Sequence, residues 1–203
     1  MSQIKTLIFD LGGVIVPFDF MRAYRRFEQM TGTPPERLRE TITDTGLVPQ
    51  FESGQLEPDE FVERLTGAIG VSMSMREFRD LWVSIFLPEA LIPEAFLESL
   101  RARHRMLLLS NTNAIHFEMI RETYPQLNHF DHLVLSHEVK AMKPSPEIYA
   151  AALANADADP DECFFTDDVA AYVEGARHAG IDAVQFTGFN ALLGHLRARG
   201  IET

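Results

Sequence analysis

Asp10 stands at the end of the apolar run Thr6-Leu7-Ile8-Phe9 and is followed at once by Leu11-Gly12-Gly13. A carboxylate in that place can be a metal ligand or a nucleophile that accepts a phosphoryl group and releases it to water, splitting one displacement into two. Three further groups follow: Ser110-Asn111 after Met106-Leu107-Leu108-Leu109, Lys143-Pro144 in a loop, and Asp167-Asp168 after Cys163-Phe164-Phe165-Thr166. Side chains and backbone N–H groups between a strand and a helix, as at Ser110-Asn111, can hold a phosphate oxygen. A lysine fixed before a proline can neutralise phosphate and nucleophile together. Adjacent carboxylates near a third one conflict unless a cation joins them, and Mg2+ suits two carboxylates and a carbonyl because it takes oxygen ligands and keeps several waters.

Each member also has a plain structural reading. Asp10 can be a turn residue, Ser110-Asn111 and Asp168 can cap helices, and Lys143, like Lys140, can be a solvated charge. The conjunction carries the weight: nucleophile, anchor, counter-charge and metal site are what phosphoryl transfer needs.

The elements that must position these residues alternate. Ile4–Phe9 reads as a fully buried strand, apolar without a break. From Asp19 to about Pro88 the pattern is helical: Phe20, Tyr24 and Phe27 recur at helical spacing, and Pro34-Pro35, Pro58-Asp59-Glu60 and Ser74-Met75-Arg76-Glu77 open further helices. Glu52-Ser53-Gly54-Gln55-Leu56 reads as a turn between two of them. From Pro93 onward helices precede strands at Met106–Leu109, His132–Leu135, Cys163–Thr166 and Ala183–Phe186, and Ala191–Arg199 is the last helix. This pattern predicts right-handed βαβ units and a Rossmann-like, doubly wound parallel sheet. Strand ends that turn polar lie at the carboxyl edge, where open α/β sheets bind ligands. The expected division is an α/β core of residues 1–16 and 89–203 with a helical insertion, 17–88, after the first strand.

With 203 residues, 46% of them hydrophobic, the chain can bury a substantial core. A net charge of -12 argues against a nucleic-acid surface. The single cysteine, Cys163, excludes an intramolecular disulfide and fits a reducing compartment. The start of the chain enters a strand almost immediately, and the apolar stretch near Leu7–Phe18 contains Asp10 and two glycines, so neither a signal peptide nor a membrane span is expected. A cytoplasmic protein acting on a small phosphorylated metabolite, as monomer or homodimer, is the resulting expectation.

Phe9-Asp10-Leu11-Gly12-Gly13-Val14, Leu109-Ser110-Asn111, Lys143-Pro144 and Phe165-Thr166-Asp167-Asp168 together resemble the four motifs of the haloacid dehalogenase superfamily, on its phosphatase side. Ser110-Asn111-Thr112-Asn113 and Lys143-Pro144-Ser145-Pro146-Glu147-Ile148-Tyr149 resemble the subgroup that contains bacterial α-glucose-1-phosphate phosphatase and the phosphatase domain of soluble epoxide hydrolases. Glu52-Ser53-Gly54-Gln55-Leu56 with Phe61 resembles that subgroup's helical cap. The resemblance implies that Asp10 becomes an aspartyl-phosphate, that Ser110 binds the transferring group and that Lys143 bridges it to Asp10. It further implies that Asp168 binds Mg2+ directly, Asp167 acts mostly through metal-bound water, and the Gly12 carbonyl completes the protein ligands. The dehalogenating members lack the acidic pair, so Asp167-Asp168 favours a metal-dependent phosphatase.

Two departures from the family pattern stand out. Gly12 occupies the position of a second aspartate that protonates the leaving group and later activates water, a contribution of about 10²–10⁴-fold where present. The glucose-1-phosphate subgroup also lacks it. With Gly12 alone, good leaving groups are expected to be favoured, such as an anomeric sugar phosphate or an acyl phosphate. His116 is a candidate substrate contact or substitute acid, against an exposed helical histidine; Asp19 is a second candidate, or simply the N-cap before Phe20. The other departure is Tyr172, where many relatives carry Asn or Asp near the metal shell. The cap is expected to set specificity: Arg22, Arg25 and Arg26 either meet an anionic substrate or form a solvated face, and Trp82 and Phe86 read as cap core. The rival functions are a non-enzymatic phosphate-ligand binder or regulator on the same fold, and more weakly a phosphomutase.

Overall fold

The computed structural model describes residues 3–202. Its centre is a parallel five-stranded sheet in the order β3-β2-β1-β4-β5. The strands are β1 (Thr6–Phe9), β2 (Arg105–Ser110), β3 (His132–Leu135), β4 (Cys163–Asp167) and β5 (Asp182–Gln185). Chain order reverses on either side of β1, so the first strand lies between β2 and β4 and its carboxyl end is the switch point of the sheet. Leu7 and Phe9 pack into the cluster on one face and Ile8 into the cluster on the other. This two-sided burial is why β1 reads as an unbroken apolar run rather than an alternating one.

Five helices follow β1 to form the helical layer: α1 (Phe20–Thr31), α2 (Pro35–Thr45), α3 (Leu47–Glu52), α4 (Pro58–Ile69) and α5 (Met75–Trp82). The polar signals do the expected local work. Asp19 caps α1 by accepting the Met21 N–H, and Ser74 with Glu77 forms a capping box on α5. Phe51 and Phe61 stack at 4.1 Å, and Phe61 meets Phe78 and Trp82 edge-on. Ile115, from a helix after β2, joins the same cluster, so the helical layer is packed onto the α/β layer through apolar side chains.

α6 (Glu94–Arg101) leads into β2, and α7 (Ala114–Thr123), α8 (Ser136–Val139), α9 (Pro146–Ala154), α10 (Ala170–His178) and α11 (Phe189–Arg197) follow that strand. Two short elements differ from the expectation. Glu52 ends helix α3 rather than lying in a turn, and β3 runs straight into the one-turn helix α8. No described helix is long and apolar enough to cross a membrane.

Candidate active site

The register brings the polar strand ends together. Phe9 pairs with Leu108 on one side and Thr166 on the other, so Asp10, Ser110 and Asp167 emerge from three adjacent strands at one edge. Asp10 is buried and its N–H donates to the Thr166 carbonyl at 3.0 Å. The Lys143 Nζ donates to Asp10 Oδ1 at 2.7 Å, to Asp167 Oδ2 at 2.6 Å and to the Leu109 carbonyl at 3.0 Å. All three ammonium hydrogens are therefore used. Lys143 is 3% exposed, so it is no surface charge. Burial pulls its pKa down, but Asp10 and Asp167 outweigh that and hold it above the usual lysine range. Burial raises the Asp10 carboxyl, against the pull of Lys143.

Asn111 has a different place from the expected one. Its side chain accepts the Lys143 N–H at 2.8 Å and donates to the Lys143 carbonyl at 3.0 Å. The amide is thus committed to holding the lysine loop, and a phosphate oxygen is left to Ser110 and the backbone. Tyr172 lies beside the same group: its hydroxyl is 3.4 Å from Asn111 Nδ2, and Lys143 Nζ sits 5.1 Å from its ring centroid. It contacts the lysine cluster through a ring face.

Asp10, Asp167 and Asp168 each offer a carboxylate oxygen, and these lie within 4.8 Å of one another. Asp167 Oδ1 also accepts the Val169 N–H at 2.8 Å. Asp168 is raised by burial and by Asp167. One lysine faces these three carboxylates, so the cluster carries excess negative charge that a hard dication would balance. The loop is shaped for it: a Cβ on Gly13, at φ +76°, would meet Asp168 Oδ2 at 2.4 Å. The absence of a side chain lets that carboxyl come in over the backbone.

In front of this corner lies a cavity of about 430 Å3. Its inner wall is Leu11, Gly12 and Ser110–Thr112; its outer walls are Phe18, Phe20, Tyr24, Ile42, Val48, Glu52, Trp82, Ile85 and Phe86 from the helical layer, with His116 and Ile120 from α7. A Cβ on Gly12 would meet the Phe18 ring at 3.2 Å. Where relatives of the family pattern place a second aspartate, this chain has an aromatic ring close against bare backbone.

His116 lines the cavity and is not the exposed helical residue considered above. It is also poorly suited to be the acid. Its Nδ1 meets Asn113 Nδ2 and its Nε2 the Trp82 carbonyl, both at 3.1 Å, while the ring stacks on Trp82. Burial lowers its pKa to about 4, so it is neutral near pH 7 with both nitrogens engaged. Asp19 does not line the cavity and serves as the helix cap. Arg22 and Arg26 donate to the carbonyls of Ser84 and Asp80; they fasten α1 to the end of the helical layer and are not among the cavity residues.

Sequence reasoning missed the contribution of Glu52. The chain turns there against the core: Ser136 Oγ donates to the Glu52 carbonyl at 2.6 Å and accepts the Thr112 N–H at 2.9 Å. Gly54, at φ +65°, sits so near α8 that a Cβ would lie 2.1 Å from the His137 carbonyl. The signal was the Glu-Ser-Gly triplet itself, whose glycine marks a close approach of two backbones.

The parallel sheet and the clustered strand-end residues define a Rossmann-like α/β core whose carboxylate cluster lies under a helical layer. The chain belongs to the haloacid dehalogenase-like hydrolase family, whose model matches residues 4–180. It is 29% identical over 189 residues to a D-ribitol-5-phosphate phosphatase of Bacteroides thetaiotaomicron, covering 90% of this chain and 92% of that protein. It is 26% identical over 194 residues to a sesquiterpene phosphatase of Aspergillus oryzae, covering 92% and 91%. A haloacid dehalogenase family enzyme of B. thetaiotaomicron, solved in complex with magnesium and inorganic phosphate, superposes with a TM-score of 0.80 at 30% identity, covering 91% of this chain and 95% of that one.

Proposed function

We propose that the chain is a Mg2+-dependent phosphatase that hydrolyses a small phosphomonoester through an aspartyl-phosphate on Asp10. Hydrolysis of phosphate esters is the activity the family and the phosphatase relatives support. The observation that carries the mechanism is the Asp10–Lys143–Asp167 contact beside a third carboxylate at one strand edge. Asp10, Asp167, Asp168 and the Gly12 carbonyl would hold the ion, which supplies positive charge against the phosphate when bound.

In this reading Lys143 offsets part of the rise to about 7 that burial imposes on the Asp10 carboxyl and draws phosphate oxygens toward it, because its charge is fixed in a buried place where water cannot screen it. Ser110 holds a second phosphate oxygen. Asp10 Oδ attacks phosphorus, the bond to the leaving oxygen breaks, and water then displaces the carboxylate to release inorganic phosphate. Residues 17–88 act as the cap that excludes water and shapes the organic half of the site.

A sugar phosphate is the substrate suggested by the motifs, and the ribitol-phosphate relative supports a polyol. The cavity favours a second reading. Most of its wall is aromatic or aliphatic, with Thr43, Glu52, Asn111 and Thr112 as a polar edge. Such a wall suits an organic part with an apolar face, and the sesquiterpene phosphatase relative supports that class. The test is phosphate release from a panel of sugar, polyol, aryl and prenyl phosphates, with Mg2+ and with EDTA. Release that is independent of Mg2+, or unchanged in Asp10→Asn, removes the proposed mechanism; the ranking of kcat/KM decides between the two substrate classes.

A further inference from the structure

The family's usual second aspartate is absent at Gly12, and the Phe18 ring lies 3.2 Å from where a Cβ would stand. A proton must still reach the leaving oxygen. Among the residues that line the cavity, Glu52 is the one carboxyl. It lies on the outer wall of the cavity whose inner wall holds Gly12 and Ser110, and its backbone is fixed to the core by Ser136. Its carboxyl has no hydrogen-bond or ion-pair partner among the described residues, whereas Asp10 and Asp167 are both tied to Lys143.

We propose that Glu52 is the general acid and base of this enzyme, reaching the leaving oxygen from the helical layer in place of the aspartate missing at Gly12. The proposal rests on the phosphatase reading above. As Asp10 Oδ bonds to phosphorus and the P–O bond to the leaving group breaks, the Glu52 carboxyl gives its proton to that oxygen and becomes a carboxylate. Water then attacks phosphorus and passes its proton to Glu52 as the Asp10–phosphorus bond breaks. The balance is one ester and one water consumed, one alcohol and one phosphate formed, with both carboxyls restored. Burial pushes the Glu52 carboxyl up to about 7, so acid and base forms are both accessible near neutrality. His116 keeps both ring nitrogens engaged and cannot take the role without breaking two contacts.

The test compares kcat/KM for phenyl phosphate and p-nitrophenyl phosphate, with Mg2+, in wild type, Glu52→Gln, Glu52→Asp and Asp10→Asn. The two substrates share a ring that suits the aromatic walls and differ in how much the leaving oxygen needs a proton. Glu52→Gln is expected to lose about 10²–10⁴-fold on phenyl phosphate and far less on p-nitrophenyl phosphate. Glu52→Asp keeps the shallow wild-type ratio between the substrates even if both rates fall. An equal loss on both substrates in Glu52→Gln, or no loss on phenyl phosphate, overturns the acid role while leaving the phosphatase intact. A wild type inert on both esters, or Asp10→Asn retaining turnover, removes the phosphatase reading and this proposal with it.

Discussion

The two ends of the cavity hold their carboxyls in different ways. At the inner end Asp10 and Asp167 share one buried lysine at 2.7 and 2.6 Å, and Asn111 clamps the main chain of that lysine from both sides. Every group there is fixed by a charged or hydrogen-bonded partner. At the outer end Glu52 lies among aromatic and aliphatic walls with a fixed backbone and a carboxyl that has no partner among the described residues. The first arrangement ties its carboxyls to a cation; the second leaves a carboxyl that can exchange its proton without breaking an ion pair. A two-step phosphoryl transfer needs both, since the nucleophile must stay ionised while the acid must change its state within each turnover.

The comparison breaks most sharply at Asp10. Asp10→Asn keeps the size of the side chain but removes the nucleophile, and turnover is expected to fall by at least about 10⁴-fold while the thermal midpoint stays close to wild type. Steady-state phosphate release and a melting curve check both halves. Turnover surviving at more than a small fraction places the nucleophile elsewhere.

Lys143→Met sharpens it from the other side. Removing one partner of a buried ion pair leaves the remaining charge uncompensated, at a cost of about 3–5 kcal/mol. Here Asp10 and Asp167 both lose their cation. The variant is expected to melt well below wild type in EDTA and to recover part of that loss in Mg2+, because the ion can take over the counter-charge. A melting temperature insensitive to Mg2+ in this variant counts against the three-carboxylate site. Gly13→Ala is the milder probe of the same site. Its Cβ would press on Asp168, so Mg2+ affinity, read by titration, is expected to fall about 10–100-fold as a displaced ligand shell would produce.

Much of the inner end was legible in the sequence, and little of the outer end. Asp10, Ser110 and Asp167 each follow an apolar run, and the pattern of buried strands turning polar places them at one edge whatever the rest of the fold does. The expected counter-charge role of Lys143 was equally legible. Asn111 was not: its type fits a phosphate contact as well as a loop clamp, and only the folded loop between α8 and α9 shows that Lys143 takes its amide. Glu52 was read only as part of a turn, because its setting depends on two contacts distant in sequence, with Ser136 and with the His137 backbone. His116 was hidden for the same reason, since the Trp82 carbonyl that holds it comes from the helical layer. The local periodicity of α3 was too short to announce itself; a helix of six residues carries less than two turns of pattern.

The smallest effect is the most specific to the outer end. Burial raises the Glu52 carboxyl from 4.5 to about 7 with no opposing partner. A carboxyl whose folded pKa lies above its unfolded value binds more protons folded than unfolded between those two values. Stability therefore falls as pH rises through that window, and the penalty is full above about pH 7. The full shift corresponds to roughly 3 kcal/mol, and the amide of a glutamine keeps part of the burial cost, so Glu52→Gln is expected to gain about 1–2 kcal/mol at pH 8. Near pH 5, where wild-type Glu52 is protonated when folded, most of the gain disappears. His104 and His137, which also titrate below their usual range through burial, are present in both proteins and cancel in the difference. Paired denaturation curves at pH 5 and pH 8 measure this directly. A variant more stable at pH 8 yet slower on phenyl phosphate would show that the unpartnered carboxyl is kept at a cost in stability. A variant no more stable at pH 8 would mean that Glu52 is better solvated than its walls imply, and the contrast between the two ends would lose its electrostatic basis.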